Sequence, residues 1–255
     1  MIPDGAFLTR LPRALGIGER MILELAVFNL QSIKYSYDSL TSKLAEVVIK
    51  DGSAPYVSNE RRLSLLIDGW SIVDQSYSLF QTLDRIPEPY TSGLTEELFN
   101  EYRKIISDMR NFMDHAWSRM KQESRKQKST ALLGSITFYI GEELEKSRPP
   151  LFQKKHAVGI TFGTHHQDNF ETGVLLFEDL MFAERGDYTF TVYGLDLRLE
   201  YFIQRLSYFA EHFNDQAGRV CSEAARRCAD ENNLKLDDLL APHYKQVVFV
   251  ATVNR

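Results

Sequence analysis

Met109-Arg110-Asn111-Phe112-Met113-Asp114-His115-Ala116-Trp117 is the stretch on which the reading of this chain turns. Together with Ile105 and Ile106 upstream and Met120 downstream, its apolar residues Met109, Phe112, Met113 and Ala116 recur at threes and fours, the spacing of a helix with one buried stripe. The same nine residues carry an arginine, an asparagine and a histidine that a core does not require. A guanidinium holds phosphate or the charge developing on it, and an imidazole moves protons near neutral pH. The pairing therefore points to phosphodiester chemistry.

Working outward, this helix is the third of three. It is predicted to begin near Thr95, a good N-terminal residue followed by Glu97, and to continue to about Lys121. The first helix is read from Gly18 to about Lys50 on Ile22, Leu23, Leu25, Ala26, Phe28, Leu30, Ile33, Tyr37, Leu40, Leu44 and Val47, ending at Asp51-Gly52-Ser53-Ala54-Pro55. The second runs from Asn59 to Leu83 and is stopped by Ile86-Pro87-Glu88-Pro89. Three long helices on short connections imply an antiparallel bundle.

The pattern then changes to β-branched and aromatic runs between turn residues. These are 131–140, 157–162, 173–177 and 188–193, read as antiparallel strands. Helical spacing returns from Leu195 to about Asn232, with Gly218 as a candidate kink, and 246–253 reads as a last strand rejoining the sheet. The expected architecture is α+β, mainly α, an antiparallel helical bundle with an inserted small antiparallel β-sheet. Its parts are a bundle core over 1–128, a β-rich insertion over 129–194, C-terminal bundle helices over 195–241 and a terminal strand over 242–255.

Composition limits the function classes. The chain has 255 residues, 44% hydrophobic and 25% charged, with no apolar run near the roughly 20 residues that span a bilayer. No signal-peptide pattern opens it, so a cytoplasmic, membrane-free protein is expected. A net charge of −5 disfavours a protein that coats nucleic acid non-specifically, while leaving room for a local basic cleft. Cys221 and Cys228 lie seven apart on one helix, about 10 Å by helical rise, too far to bridge each other and wrongly spaced for a zinc knuckle; both are read as structural.

Arg110-Asn111-x-x-x-His115 resembles the signature of the HEPN superfamily, small helical bundles marked by an arginine, four to six residues and a histidine, with a polar residue directly after the arginine. Arg205 and His212 repeat the looser spacing but carry Leu206 after the arginine. The resemblance implies a HEPN-like bundle and a metal-independent endoribonuclease, toxin-like or defensive, needing no cofactor. It also implies RNA as substrate, a homodimer with the active site at its interface, and an antitoxin or other regulatory protein as partner. In that scheme His115 is general base or acid, Arg110 stabilises the phosphorane, and Asn111 orients a phosphate oxygen or the histidine. Where relatives paired with nucleotidyltransferase antitoxins carry a modified tyrosine, two residues past the histidine, this chain has Trp117.

Residues five apart are rotated by about 140° on a helix, so Arg110 and His115 straddle it and meet more easily where two copies of the helix face each other. Downstream, Arg119, Lys121, Arg125 and Lys126 form a basic run able to guide an RNA backbone, or simply to complement a helix C-terminus. Two other readings stay open. Arg110 and Asp114 are four apart and can form a plain ion pair, leaving a non-catalytic HEPN-like dimerisation or binding module that contacts a protein or small ligand. His165, His166 and Asp168 include metal-ligating types, but adjacent histidines on a short loop tend to diverge, and an exposed loop is expected there.

Overall fold

The structure, a computed structural model, describes residues 1–12, 14–47, 56–92, 96–115, 133–141, 155–162 and 186–242. Among the described residues the helices are α1 (Ile17–Ala45), α2 (Asn59–Leu83), the short α3 (Glu88–Thr91), α4 (Glu96–Asp114), α5 (Leu199–Asn232) and the short α6 (Leu236–Leu240). Four strands, β1 (Gly134–Gly141), β2 (Lys155–Phe162), β3 (Gly186–Val192) and β4 (Leu195–Arg198), form an antiparallel sheet in the order β2-β1-β3-β4. The chain is thus mainly helical with one small antiparallel sheet. No described helix is long and apolar enough to cross a membrane.

α2 begins where Ser58 supplies an N-cap, its Oγ accepting from the Arg61 backbone N–H at 3.2 Å, and it stops short of Pro87. It lies antiparallel to α1, because Asn29 donates to Ser78 and Thr82 at one end while Ser39 and Lys43 reach Asp68 at the other. Asp68 is nearly buried, and the Lys43 ammonium at 2.6 Å compensates a carboxylate that would otherwise be costly there. Leu23, Ala26, Leu30, Ile33 and Leu40 of α1 face the core. Leu25 and Phe28, counted with the apolar pattern in the sequence, instead face solvent.

One further sequence expectation changes. The helix expected from Leu195 starts four residues later. Tyr193 and Gly194, both at positive φ (52° and 73°), make a two-residue hairpin turn that returns the chain as β4. Leu197 is buried opposite Phe190, while Asp196 accepts from the Thr191 hydroxyl at 2.7 Å, the alternation of a strand. α4 is described to Asp114, and its expected continuation toward Lys121 lies outside the described residues. The His115 N–H is shared between the carbonyls of Asn111 (3.1 Å) and Phe112 (3.2 Å), a tightened turn. The runs at 173–177 and 246–253 lie outside the described residues.

α5 passes through Gly218 as one continuous helix and shares its core with α1, α2, α4 and the sheet. Phe209 meets Phe99 of α4 edge-on at 5.1 Å, Phe202 meets Tyr102 of α4 at the same separation, and Phe190 of β3 meets Trp70 of α2 edge-on at 5.6 Å. Cys221 is buried against the Tyr90 hydroxyl at 3.7 Å and Cys228 is partly buried; both are free thiols.

Burial raises Tyr37 to about 12, aided by Glu200, and raises Tyr90, aided by its contact with Cys221. These groups bind protons more tightly folded than unfolded, so their stabilising effect is complete below pH 10 and is lost as pH rises from 10 toward 12. Urea midpoints are expected to fall steeply across that interval. A urea midpoint that stays level from pH 10 to pH 12 would contradict this.

Candidate functional site

α4 places the motif through its buried stripe. Phe99, Ile106, Met109 and Phe112 are fully buried, so the intervening polar residues are turned outward. The far end of the helix is held by the Phe112 ring, tilted against Tyr193 of the β3–β4 turn with ring centroids 3.5 Å apart. Asn111, Asp114 and His115 are exposed there, and the Arg110 side chain is one-third exposed. Asn111 and His115, four apart, lie on one side of the helix end.

Arg110 is occupied by carboxylates. Its Nε stands 2.8 Å from Asp74 Oδ1 of α2 as an ion pair, and its Nη1 donates to Asp114 Oδ1 one helical turn ahead. One guanidinium between two carboxylates leaves the trio with net charge −1. Burial raises the Asp74 carboxyl above its ordinary value, Arg110 opposes that rise, and Asp114 adds to it. Desolvation therefore outweighs the attraction of the arginine at Asp74, as happens when a pair is only partly compensated.

The pairing with Asp114 was legible from the spacing; the pairing with Asp74 was not. Asp74 is the one acidic residue in the run Ser71-Ile72-Val73-Asp74-Gln75-Ser76, with no local signal that it faces α4. The Asp68–Lys43 pair was missed for the same reason. Arg119, Lys121, Arg125 and Lys126 lie outside the described residues, as do Trp117, His165, His166 and Asp168. The second arginine–histidine spacing forms no comparable cluster: the His212 ring is tilted against Tyr208 with centroids 3.9 Å apart and its Nδ1 lies 2.9 Å from the Tyr208 carbonyl oxygen, a contact within its own helix. His212 also lines an open groove of about 710 Å³ with Phe7, Asp215, Arg219 and Arg226.

Comparison with known proteins adds no neighbour: no protein-family model, curated protein or solved structure matches the chain.

Proposed function

We propose that the chain is a non-catalytic HEPN-like binding module in which Arg110 clamps α4 to α2. The carrying observation is the guanidinium held by Asp74 at 2.8 Å and by Asp114 at the same time. A phosphate brought to the remaining edge of Arg110 would stand roughly 6 Å from each carboxylate, a repulsion of order 1–3 kcal/mol apiece at an effective dielectric of about 20 to 50. Phosphate competes poorly for a guanidinium so occupied. The test uses end-labelled single-stranded RNA of mixed sequence with the wild-type chain, Arg110→Ala and His115→Ala. The expected result is no cleavage that depends on either residue; cleavage by wild type that both substitutions abolish overturns the reading.

The exposure of Asn111 and His115 at the end of α4 favours a second reading, the metal-independent endoribonuclease. There His115 moves the proton of the RNA 2′-hydroxyl, Asn111 orients, and Arg110 must release Asp114 to meet the phosphate. Two copies of α4 would face each other in a homodimer, with an antitoxin restraining the activity. Asp114→Asn separates the readings, because it frees Arg110 Nη1 without shortening the helix. The nuclease reading expects cleavage to rise about tenfold, equivalent to about 1.4 kcal/mol of transition-state stabilisation. The binding-module reading expects none.

A further inference from the structure

The groove of about 710 Å³ opens between α5 and the single 3-10 helical turn Phe7–Thr9. Its walls are fixed to each other. The Leu8 N–H donates to Asn214 Oδ1 at 3.1 Å, and the Phe7 ring lies against Gly218, where a Cβ would stand 3.5 Å from Phe7 Cγ. Along α5 the groove meets Asp215, Arg219, Ser222 and Arg226, which at about 100° per residue share an arc of roughly 60°, with Glu223 at its edge. Arg219 has a carboxylate four residues to either side, Asp215 and Glu223, and pairs with neither among the described residues. The same spacing does close at Lys34–Asp38 and at Arg110–Asp114. Arg219 Nη2 donates instead to Gln216 Oε1 at 2.6 Å, and Gln216 Nε2 donates to the Pro89 carbonyl at 2.8 Å. A neutral amide thus holds the guanidinium in place without cancelling its charge. Asp215 accepts from the Asn214 amide at 3.4 Å, and Arg226 makes no ion pair among the described residues.

We infer that this groove binds a small zwitterion with an apolar side chain, a free α-amino acid, a step that rests on the binding-module reading and gives it a ligand. The signs of the lining charges select that class. A lone anion at Arg219 would stand about one helical turn from both Asp215 and Glu223, and a lone cation at Asp215 would meet Arg219 in the same way. A purely apolar ligand would strip water from all four charges and return nothing to them. An α-amino acid carries both charges on one carbon. Its carboxylate fits between Arg219 and Arg226, with the Ser222 hydroxyl donating to it, while its ammonium fits at Asp215 and its side chain lies against Phe7. The ligand thereby bridges the pair that Asp215 and Arg219 leave open.

The test is isothermal titration calorimetry of the full chain with L-phenylalanine at neutral pH. With about a dozen non-hydrogen atoms, this probe is expected to bind with Kd on the order of 100 µM. N-acetyl-L-phenylalanine lacks the ammonium, L-phenylalaninamide lacks the carboxylate and glycine lacks the side chain; each is expected to bind about tenfold more weakly or worse. Asp215→Asn and Arg219→Gln are each expected to weaken L-phenylalanine about tenfold or more with unchanged ellipticity and urea midpoint, since both residues are exposed. Arg205→Gln, also exposed on α5 but outside the groove, is expected to leave binding unchanged. No heat from L-phenylalanine up to about 10 mM, a blocked form or glycine that binds as well, or binding that both groove substitutions leave intact overturns the assignment. The RNA assay reads the binding-module proposal separately, since cleavage lost in Arg110→Ala and His115→Ala would overturn that proposal whatever the calorimetry shows.

Discussion

Phe99→Ala is expected to destabilise the fold by about 3–5 kcal/mol, the range for emptying a buried aromatic site. For a chain of this length that lowers Tm by roughly 6–20 °C. The effect is large because Phe99 is fully buried near the start of α4 and joins three helices, meeting Phe80 of α2 at 5.5 Å and Phe209 of α5 at 5.1 Å. Truncation removes two ring contacts at once and leaves a void that three rigid helices cannot close. Phe99→Leu keeps most of the volume and is expected to cost about 1.5 kcal/mol or less. Urea denaturation at constant slope checks both values. A loss under about 1 kcal/mol for the alanine variant would mean that α4 is not packed where Phe99 places it. The position of Arg110 beside Asp74 would then fall with it.

Local signals in the sequence carry α2 to its boundaries, because Ser58 caps one end and Pro87 blocks the other. They carry β1, β2 and β3 nearly as far, since β-branched and aromatic residues gather in short runs between turns. They fail at Leu195, where Leu-Asp-Leu-Arg is too short for alternation to be told from the first turn of the following helix. They fail again at Leu25 and Phe28, because spacings of three and four in a long apolar helix are satisfied by residues on more than one side. At the motif, Asp114 is visible as an i+4 neighbour of Arg110. Asp74 belongs to another helix, and only the packing of α2 on α4 brings it to the guanidinium. That unseen carboxylate is what moves the functional reading from phosphate chemistry toward a structural clamp.

Gly134→Ala is the second substitution expected to act strongly, at about 2–4 kcal/mol. Gly134 opens β1 at φ +104°, a conformation L side chains rarely adopt, and a Cβ there would stand 2.9 Å from the Thr191 carbonyl oxygen and 3.1 Å from Val192 Cγ2. The carbonyl belongs to the paired strand β3, so relief requires shifting backbone that the sheet holds in register. The same position governs how the sheet meets the bundle. Next to it, the Leu133 N–H donates to the Phe162 carbonyl at 3.1 Å, and the Leu133 carbonyl accepts from the Trp70 indole N–H at 3.1 Å. Strain at Gly134 is therefore expected to loosen the Trp70 contact, visible as a red shift and quenching of tryptophan emission at urea concentrations where wild type is still folded. Gly18→Ala provides the contrast: it lies in the first turn of α1 with open space around its Cα, and alanine there is expected to stabilise by up to about 1 kcal/mol through its helix propensity. If both substitutions moved the midpoint equally, the loss at Gly134 could not be ascribed to its left-handed backbone and its contact with Thr191.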